Sequence, residues 1–273
     1  LYFMFWLAMI NRLTGNSLLA GTENLPLPAD KKVGGFTMVI VGMAVIVLIF
    51  VFNIQPARAN MKTFNTLNIL YQNPVSAAEK IKGVFSFGSP HIDDIRSDIA
   101  RVALQILGAN YQKMGSEASK ELLDLVYANL QKNVELHPFD IRNQISLAQF
   151  GQMGFEITKE NKYIINSEQY LEQALIYSPR RQQVSYMLSF FKAQLGKLGE
   201  GVSLLERTIK DDPKVGEGYW RLAYIYAVSG NAQKAKEVLS AAHEQSIVFD
   251  EQGKKIEALI LSSDPSVENK IKK

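Results

Sequence analysis

The sequence predicts an all-α chain: a membrane-crossing helix followed by repeated helix pairs. Three observations predict this. No charged residue lies between Lys32 and Arg58, and Gly34 to Ile54 matches the roughly 20 residues that cross a hydrocarbon core as a helix. Prolines stand at 179 and 213, 34 apart, and Tyr219, Leu222, Gly230 and Leu239 shifted back by 34 fall on Ser185, Leu188, Gly196 and Leu205. Between those regions apolar residues recur three and four apart, the spacing of one helical face.

At 273 residues the chain can hold one or two domains with a sizeable core. Net charge is +3, and after Asn53 there are 27 basic against 25 acidic residues. Such a balance describes a solvated surface of mixed sign, without the basic face that nucleic acid requires. The absence of cysteine excludes disulfides, thiolate metal sites and cysteine nucleophiles.

Taken in order, "LYFMFWLAMI" (Leu1–Ile10) is apolar and precedes its nearest basic residue, Arg12, so it lacks the charged leader of a secretory signal. It reads as the end of a truncated membrane helix, with a short interfacial or core helix as the alternative. Residues 11–33 carry Arg12, Lys31 and Lys32 around the turn-prone "NLPLPAD" and are expected to form a cytoplasmic loop. Residues 34–54 then form a transmembrane helix, which places everything after 54 outside the cytoplasm. Arg58 and Lys62 pull against that orientation, and a cytoplasmic adaptor is the competing assignment.

Residues 55–139 read as a linker of irregular helical hairpins. Two helices are broken at Asn73-Pro74. A third opens with Ser89 as N-cap and Pro90 in its first turn, and Ile92, Ile95, Ile99, Val102 and Ile106 form its apolar face. A fourth opens with Ser116 as cap. Residues 140–262 hold the repeats. The last unit places Tyr219, Leu222 and Tyr226 on one face, turns at Gly230-Asn231, and offers small Ala235 and Ala242 with Leu239 between them for a close second helix. A helix from about Asp250 to Leu261 is expected to cover the end of the stack, since repeat arrays need a polar cap. Residues 263–273 read as a flexible tail.

The groups able to do chemistry are scattered. His91, His137 and His243 fall on different elements, the first two beside prolines at helix boundaries. Asp93 and Asp94 occupy a helix first turn, where the helix dipole favours acids. Asp211 and Asp212 precede Pro213 in a turn. "GVFSFGS" (Gly83–Ser89) has two glycines but no phosphate-loop lysine. No catalytic residue, metal ligand or cofactor site is expected.

The units Gln182–Val215 and Gly216–Phe249 resemble the tetratricopeptide repeat, whose helix pairs stack into an α-solenoid. An earlier unit matches less well: its helices read as Asp140–Phe150 and Ser167–Pro179, with about seven residues inserted around "ITKENKY". Departures from the repeat pattern are Lys192 for a usual tyrosine, Gly201 for alanine and Ile247 for proline. The resemblance implies that the first helix of each pair lines a partner-binding groove, which by register includes Arg142, Gln149, Gln183, Tyr186, Phe190, Trp220 and Tyr224. The alternative packs Trp220 and Phe190 against a neighbouring helix. On the groove assignment, Trp220→Ala should weaken partner capture and leave the fold intact.

The order of the whole chain is similar to the C-terminal part of O-antigen ligase/polymerase-like membrane proteins that carry such repeats. An apolar span runs into "NIQPARA", and Asp140–Arg142 supplies a "D-x-R" opening to a repeat helix. That family moves glycans from a polyprenyl-pyrophosphate carrier to an acceptor at the outer face of the inner membrane, using an Arg- and His-containing external loop with no counterpart in these residues. The resemblance thus implies a catalytically silent region, anchored in the inner membrane, that holds a protein partner or acceptor near the bilayer. Lipid-linked glycan would be met only through the parent chain. A stand-alone membrane-anchored scaffold, starting at Met9, is the other reading.

Overall fold

The computed structural model describes residues 35–262; the expectations for Leu1–Ile10, for the loop at 11–33 and for the tail at 263–273 lie outside them. The chain divides into two units at Phe50. In the first, α1 (Gly35–Ile49) is built of apolar and small residues and leaves Val39, Ile46 and Val47 exposed. The 34-residue helix Val39–Gln72 is long and apolar enough to cross a membrane, and almost none of its apolar window is buried.

The second unit opens with a π-helical turn, Phe50–Ile54, that runs into α2 (Gln55–Gln72). Pro56 stands in the first turn of α2. A proline lacks an N–H and its ring crowds the carbonyl four residues back, here Phe52; a wider turn relieves both. The Asn73-Pro74 break is a 3₁₀ turn, Pro74–Ser76, and α3 (Ala77–Phe85) follows. α2 faces the core with Ala59, Thr63, Thr66 and Leu70, spaced three and four apart.

The remaining elements described are all helices. α4 (Ile92–Met114) and α5 (Ser116–Leu136) form a hairpin joined by Gly115 alone, whose φ of +83° is open to glycine at little cost. The expected serine caps shift. Ser89 lies before the helix, where its Oγ accepts from the His91 amide, and His91 is the N-cap; Ser116 is already inside α5, with Gly115 before it. Ile95, Ile99, Val102 and Ile106 are buried as the periodicity predicts, and Ile92 is half-buried.

α6 (Ile141–Thr158) and α7 (Lys162–Tyr177) form the irregular unit, α8 (Gln182–Gln194) and α9 (Leu198–Asp211) the next, and α10 (Gly216–Val228) and α11 (Ala232–Glu244) the last. The first helices of the two regular units begin at 182 and 216 and the second at 198 and 232, an offset of 34 in both cases. The fold is thus a tetratricopeptide-like helical repeat. In the irregular unit the insertion lengthens helices rather than a loop: α6 has 18 residues against 13 in α8, and the chain turns at Lys159, whose φ is +61°. α12 (Glu251–Leu261) closes the stack, with Asp250 Oδ1 accepting from the Gly253 amide at 2.7 Å.

Each buried cluster is shared between neighbouring pairs. Ile145 and Ala148 from α6 meet Leu171 and Ala174 from α7 and Leu188 and Phe191 from α8. Tyr186 from α8 meets Leu205 from α9 and Leu222 from α10. The core also runs unbroken across 139/140, since Leu147, Phe150 and Tyr163 join the cluster that begins at Ala59.

The three departures from the repeat pattern now have physical reasons. A Cβ on Gly201 would sit 2.7 Å from the Ser189 carbonyl oxygen, closer than an alanine methyl can approach. The Ile247 amide donates to the Ala242 carbonyl at 3.0 Å, a bond proline cannot make. Lys192 is buried, its side chain 7% exposed, and its ammonium meets Glu168 at 3.0 Å, Glu172 at 2.8 Å and Glu200 at 2.7 Å. Lys197 reaches the same Glu168 at 2.8 Å. Burial pulls the Lys192 ammonium down, yet its three carboxylate partners outweigh that and hold it above the ordinary lysine range. Burial likewise pushes the Glu168 carboxyl up, and the hydrogen bonds from Lys197 and Lys192 bring it below its ordinary range.

Because the Glu168 carboxyl is depressed on folding, its contribution is present above the unfolded carboxylate range and is lost as the pH falls through the folded value. The raised Lys192 ammonium contributes fully below the ordinary lysine range. Lys192→Met, which leaves buried Glu168 with Lys197 alone, should lower the unfolding free energy at neutral pH by on the order of 3 kcal/mol. Denaturant titrations should show that deficit shrinking on acidification, as Glu168 takes up a proton in both proteins.

Candidate functional site

The positions assigned to the groove by register separate in the folded chain. Tyr186, Phe190, Trp220 and Tyr224 come together in a cleft of about 310 Å³ between α8, α10 and α12, with Arg221 and Ile256 also on its walls. Phe190 and Tyr224, one repeat apart, stack with ring centroids 6.5 Å apart and planes 29° from parallel. Both are half-buried, and both line the cleft. Arg142, Gln149 and Gln183 are exposed and stand outside the cleft lining.

Trp220 is 3% exposed. It packs beneath α12 so tightly that a Cβ on Gly253 would lie 2.5 Å from Trp220 Cδ1. Its indole N–H is buried without a hydrogen-bond partner. This burial reverses the expectation that its removal leaves the fold intact. Arg221 is held by Glu217, with Nε at 2.9 Å and Nη2 at 2.7 Å from Oε1. Its guanidinium lies 4.5 Å from the Trp220 ring centroid and 5.2 Å from that of Tyr186. Burial first, and then the Glu217 charge, pushes the Tyr186 hydroxyl up to about 12 against the opposing pull of Arg221, so it stays protonated near neutrality. The cleft therefore has an aromatic floor and a fixed, charge-compensated guanidinium.

Sequence reading missed Arg221, Gln252 and Ile256. Arg221 carried a readable signal, since Glu217 stands four residues before it on the same helix. The α12 residues carried none, because that helix lies outside the repeat register.

The other groups weighed for chemistry stay apart. His137 Nε2 pairs with Asp93 at 3.0 Å, His243 pairs with Glu257, and His91 is exposed. Among the described residues no three His, Asp or Glu side chains gather as a metal site. Asp211 and Asp212 line a polar cavity of about 340 Å³ together with Arg180 and Arg207, where the two signs offset each other. Asp140 acts locally. Its Oδ1 accepts from the Arg142 amide at 3.1 Å, and its two oxygens hold the Arg142 guanidinium at 2.9 and 2.8 Å.

No protein-family model and no curated protein matches the chain. Among solved structures, it is similar to TTC0263, a thermophilic TPR protein of Thermus thermophilus, at 14% identity and a TM-score of 0.45 over 78% of this chain and 97% of that one. It is also similar to MamA MSR-1 C2, at 18% identity and a TM-score of 0.40 over 68% of this chain and 95% of that one.

Trp220→Ala removes an aromatic side chain from under α12 and should cost about 3–5 kcal/mol of stability. Thermal melts of the variant should show early loss of the C-terminal helices. Phe190→Ala, a change at a half-buried position, should melt close to the parent.

Proposed function

We propose that this chain is a bilayer-tethered tetratricopeptide-like recognition module that holds a protein segment in the cleft between α8, α10 and α12. The observation that carries this reading is the half-exposed Phe190–Tyr224 stack beside Arg221. Aromatic and arginine side chains bury much area at modest entropic cost and dominate binding hot spots. Arg221 is already compensated by Glu217, so the cleft favours an apolar or aromatic anchor over a charged one. A volume near 310 Å³ suits one or two side chains of such a segment. Exposed Arg142, Gln149 and Gln183 lie on the first helices of the pairs, where a longer segment would run on towards α6.

The apolar helix supports tethering, and the basic residues at 12, 31 and 32 support an extracytoplasmic repeat unit at the inner membrane. The resemblance of "NIQPARA" and Asp140–Arg142 to the O-antigen ligase-like proteins supports a place beside a lipid-linked-glycan transferase. There the module would hold a protein partner or acceptor near the outer face while the chemistry proceeds elsewhere in the parent chain.

Panning a random peptide library against the full chain in nanodiscs should enrich peptides with an aromatic or aliphatic anchor. Phe190→Ala and Tyr224→Ala should each weaken them at least tenfold, with circular dichroism unchanged. Peptides that bind these variants as tightly as the parent would place recognition elsewhere.

A further inference from the structure

The turn that joins α7 to α8 and the end of α9 enclose the polar cavity of about 340 Å³. Charge is placed there contrary to the dipole of each helix. The amino end of α8 is positive, yet Arg180 and the N-cap Arg181 stand before it. The carboxyl end of α9 is negative, yet it carries Asp211 as its last residue and Asp212 as its C-cap. Arg181 is engaged with Gln183 Oε1 at 3.4 Å. Arg180, Arg207, Asp211 and Asp212 line the cavity, and none of them is in an ion pair among the described residues. Four charges thus face one space without pairing across it.

Unused hydrogen-bonding groups lie in the same place. The amides of Gln182 and Gln183, in the first turn of α8, donate to no group among the described residues, and Arg181 offers no side-chain acceptor. Two other helices fill that place with a carboxylate: Asp140 accepts from the Arg142 amide in α6, and Asp250 from the Gly253 amide in α12. Ser185 is the more telling group. It lines the cavity and is 3% exposed, and its hydroxyl has no hydrogen-bond partner among the described residues. Ser189, one turn further on, donates to the Tyr186 carbonyl at 2.8 Å, and Thr208 on the cavity wall donates to the Leu204 carbonyl at 2.8 Å. A buried hydroxyl without a partner costs stability, so its persistence beside unpaired charges points to a ligand.

We propose that this cavity binds a free α-amino acid. The ligand carboxylate meets Arg180, Arg207 and the Ser185 hydroxyl at the amino end of α8, and its ammonium meets Asp211 and Asp212 at the carboxyl end of α9. An anion alone would face two carboxylates, and a cation alone two guanidinium groups; a molecule that carries both signs satisfies both ends. Arg207 and Asp211 are four residues apart on α9, which sets their Cβ atoms about 5–6 Å apart. That spacing presents a guanidinium and a carboxylate side by side, as the two charges on one α-carbon require. The volume lies at the small end of ligand cavities. This site is separate from the aromatic cleft and does not depend on what that cleft holds.

Equilibrium dialysis of the full chain in nanodiscs against the twenty radiolabelled amino acids tests the assignment. At least one should be retained, and its unlabelled form should displace it. Its N-acetyl derivative and its amide, which each lack one charge, should fail to displace it at tenfold higher concentration. Ser185→Ala, Arg207→Gln and Asp211→Asn should each weaken retention at least tenfold. Ser185→Ala deletes a hydroxyl that has no partner, so its thermal melt should match or exceed that of the parent, which separates lost binding from lost folding. The proposal fails if none of the twenty is retained at millimolar concentration, or if the three variants retain the label as the parent does. Displacement by the N-acetyl derivative or by inorganic phosphate would show a plain anion site and overturn it as well.

Discussion

A two-helix hairpin cannot cover its own apolar stripe. Two cylinders touch along one line, so each pair leaves a second face that only another pair can bury. Everything in the second unit follows from that constraint. Phe191 and Leu188 of α8 are buried by α6 and α7, and Leu222 of α10 is buried by α8 and α9. At the far end no further pair is available among the described residues, and α12 takes its place by lying over Trp220 and Phe249.

The constraint is met by charge as well as by hydrocarbon. Between the irregular unit and the regular ones, Lys192 occupies a buried position and draws carboxylates from α7 and α9 around itself. A lysine there binds in fixed directions, whereas an aromatic ring would pack against many arrangements. The irregular unit has longer helices than its neighbours, so a directional contact at its boundary sets which residues face each other where a strict repeat would have done so by shape.

What can be read in the sequence is what hydrophobic burial imposes along the chain. The 34-residue offset, the small Ala235 and Ala242 facing a partner helix, and the stripe Ile95, Ile99, Val102 and Ile106 all leave a periodic trace. The serine caps shift because a cap depends on one residue's backbone angles, and both Gly115 and His91 can supply them locally. The seven-residue insertion is legible in length but not in form, because composition does not separate an extra helical turn from a connection. The Lys192 cluster is opaque for another reason: Glu168 lies 24 residues away and on another helix. Trp220 sits at a groove position by register, yet the capping helix α12 buries it, with Gly253 against its ring. In the cleft the aromatic pair is legible, and so is the covering helix, since Asp250 to Leu261 reads as a cap; that it lies directly over Trp220 is not.

That covering helix has a consequence for how occupancy would be felt. α12 supplies Gln252 and Ile256 to the cleft, and it is also the last helix of the stack among the described residues. Terminal helices fray first, because they have neighbours on one side only. Anything seated against Ile256 must therefore hold that helix shut. Filling the cleft and quieting the end of the array become one event, and amide protons of Glu251–Leu261 would exchange more slowly whenever the site is taken.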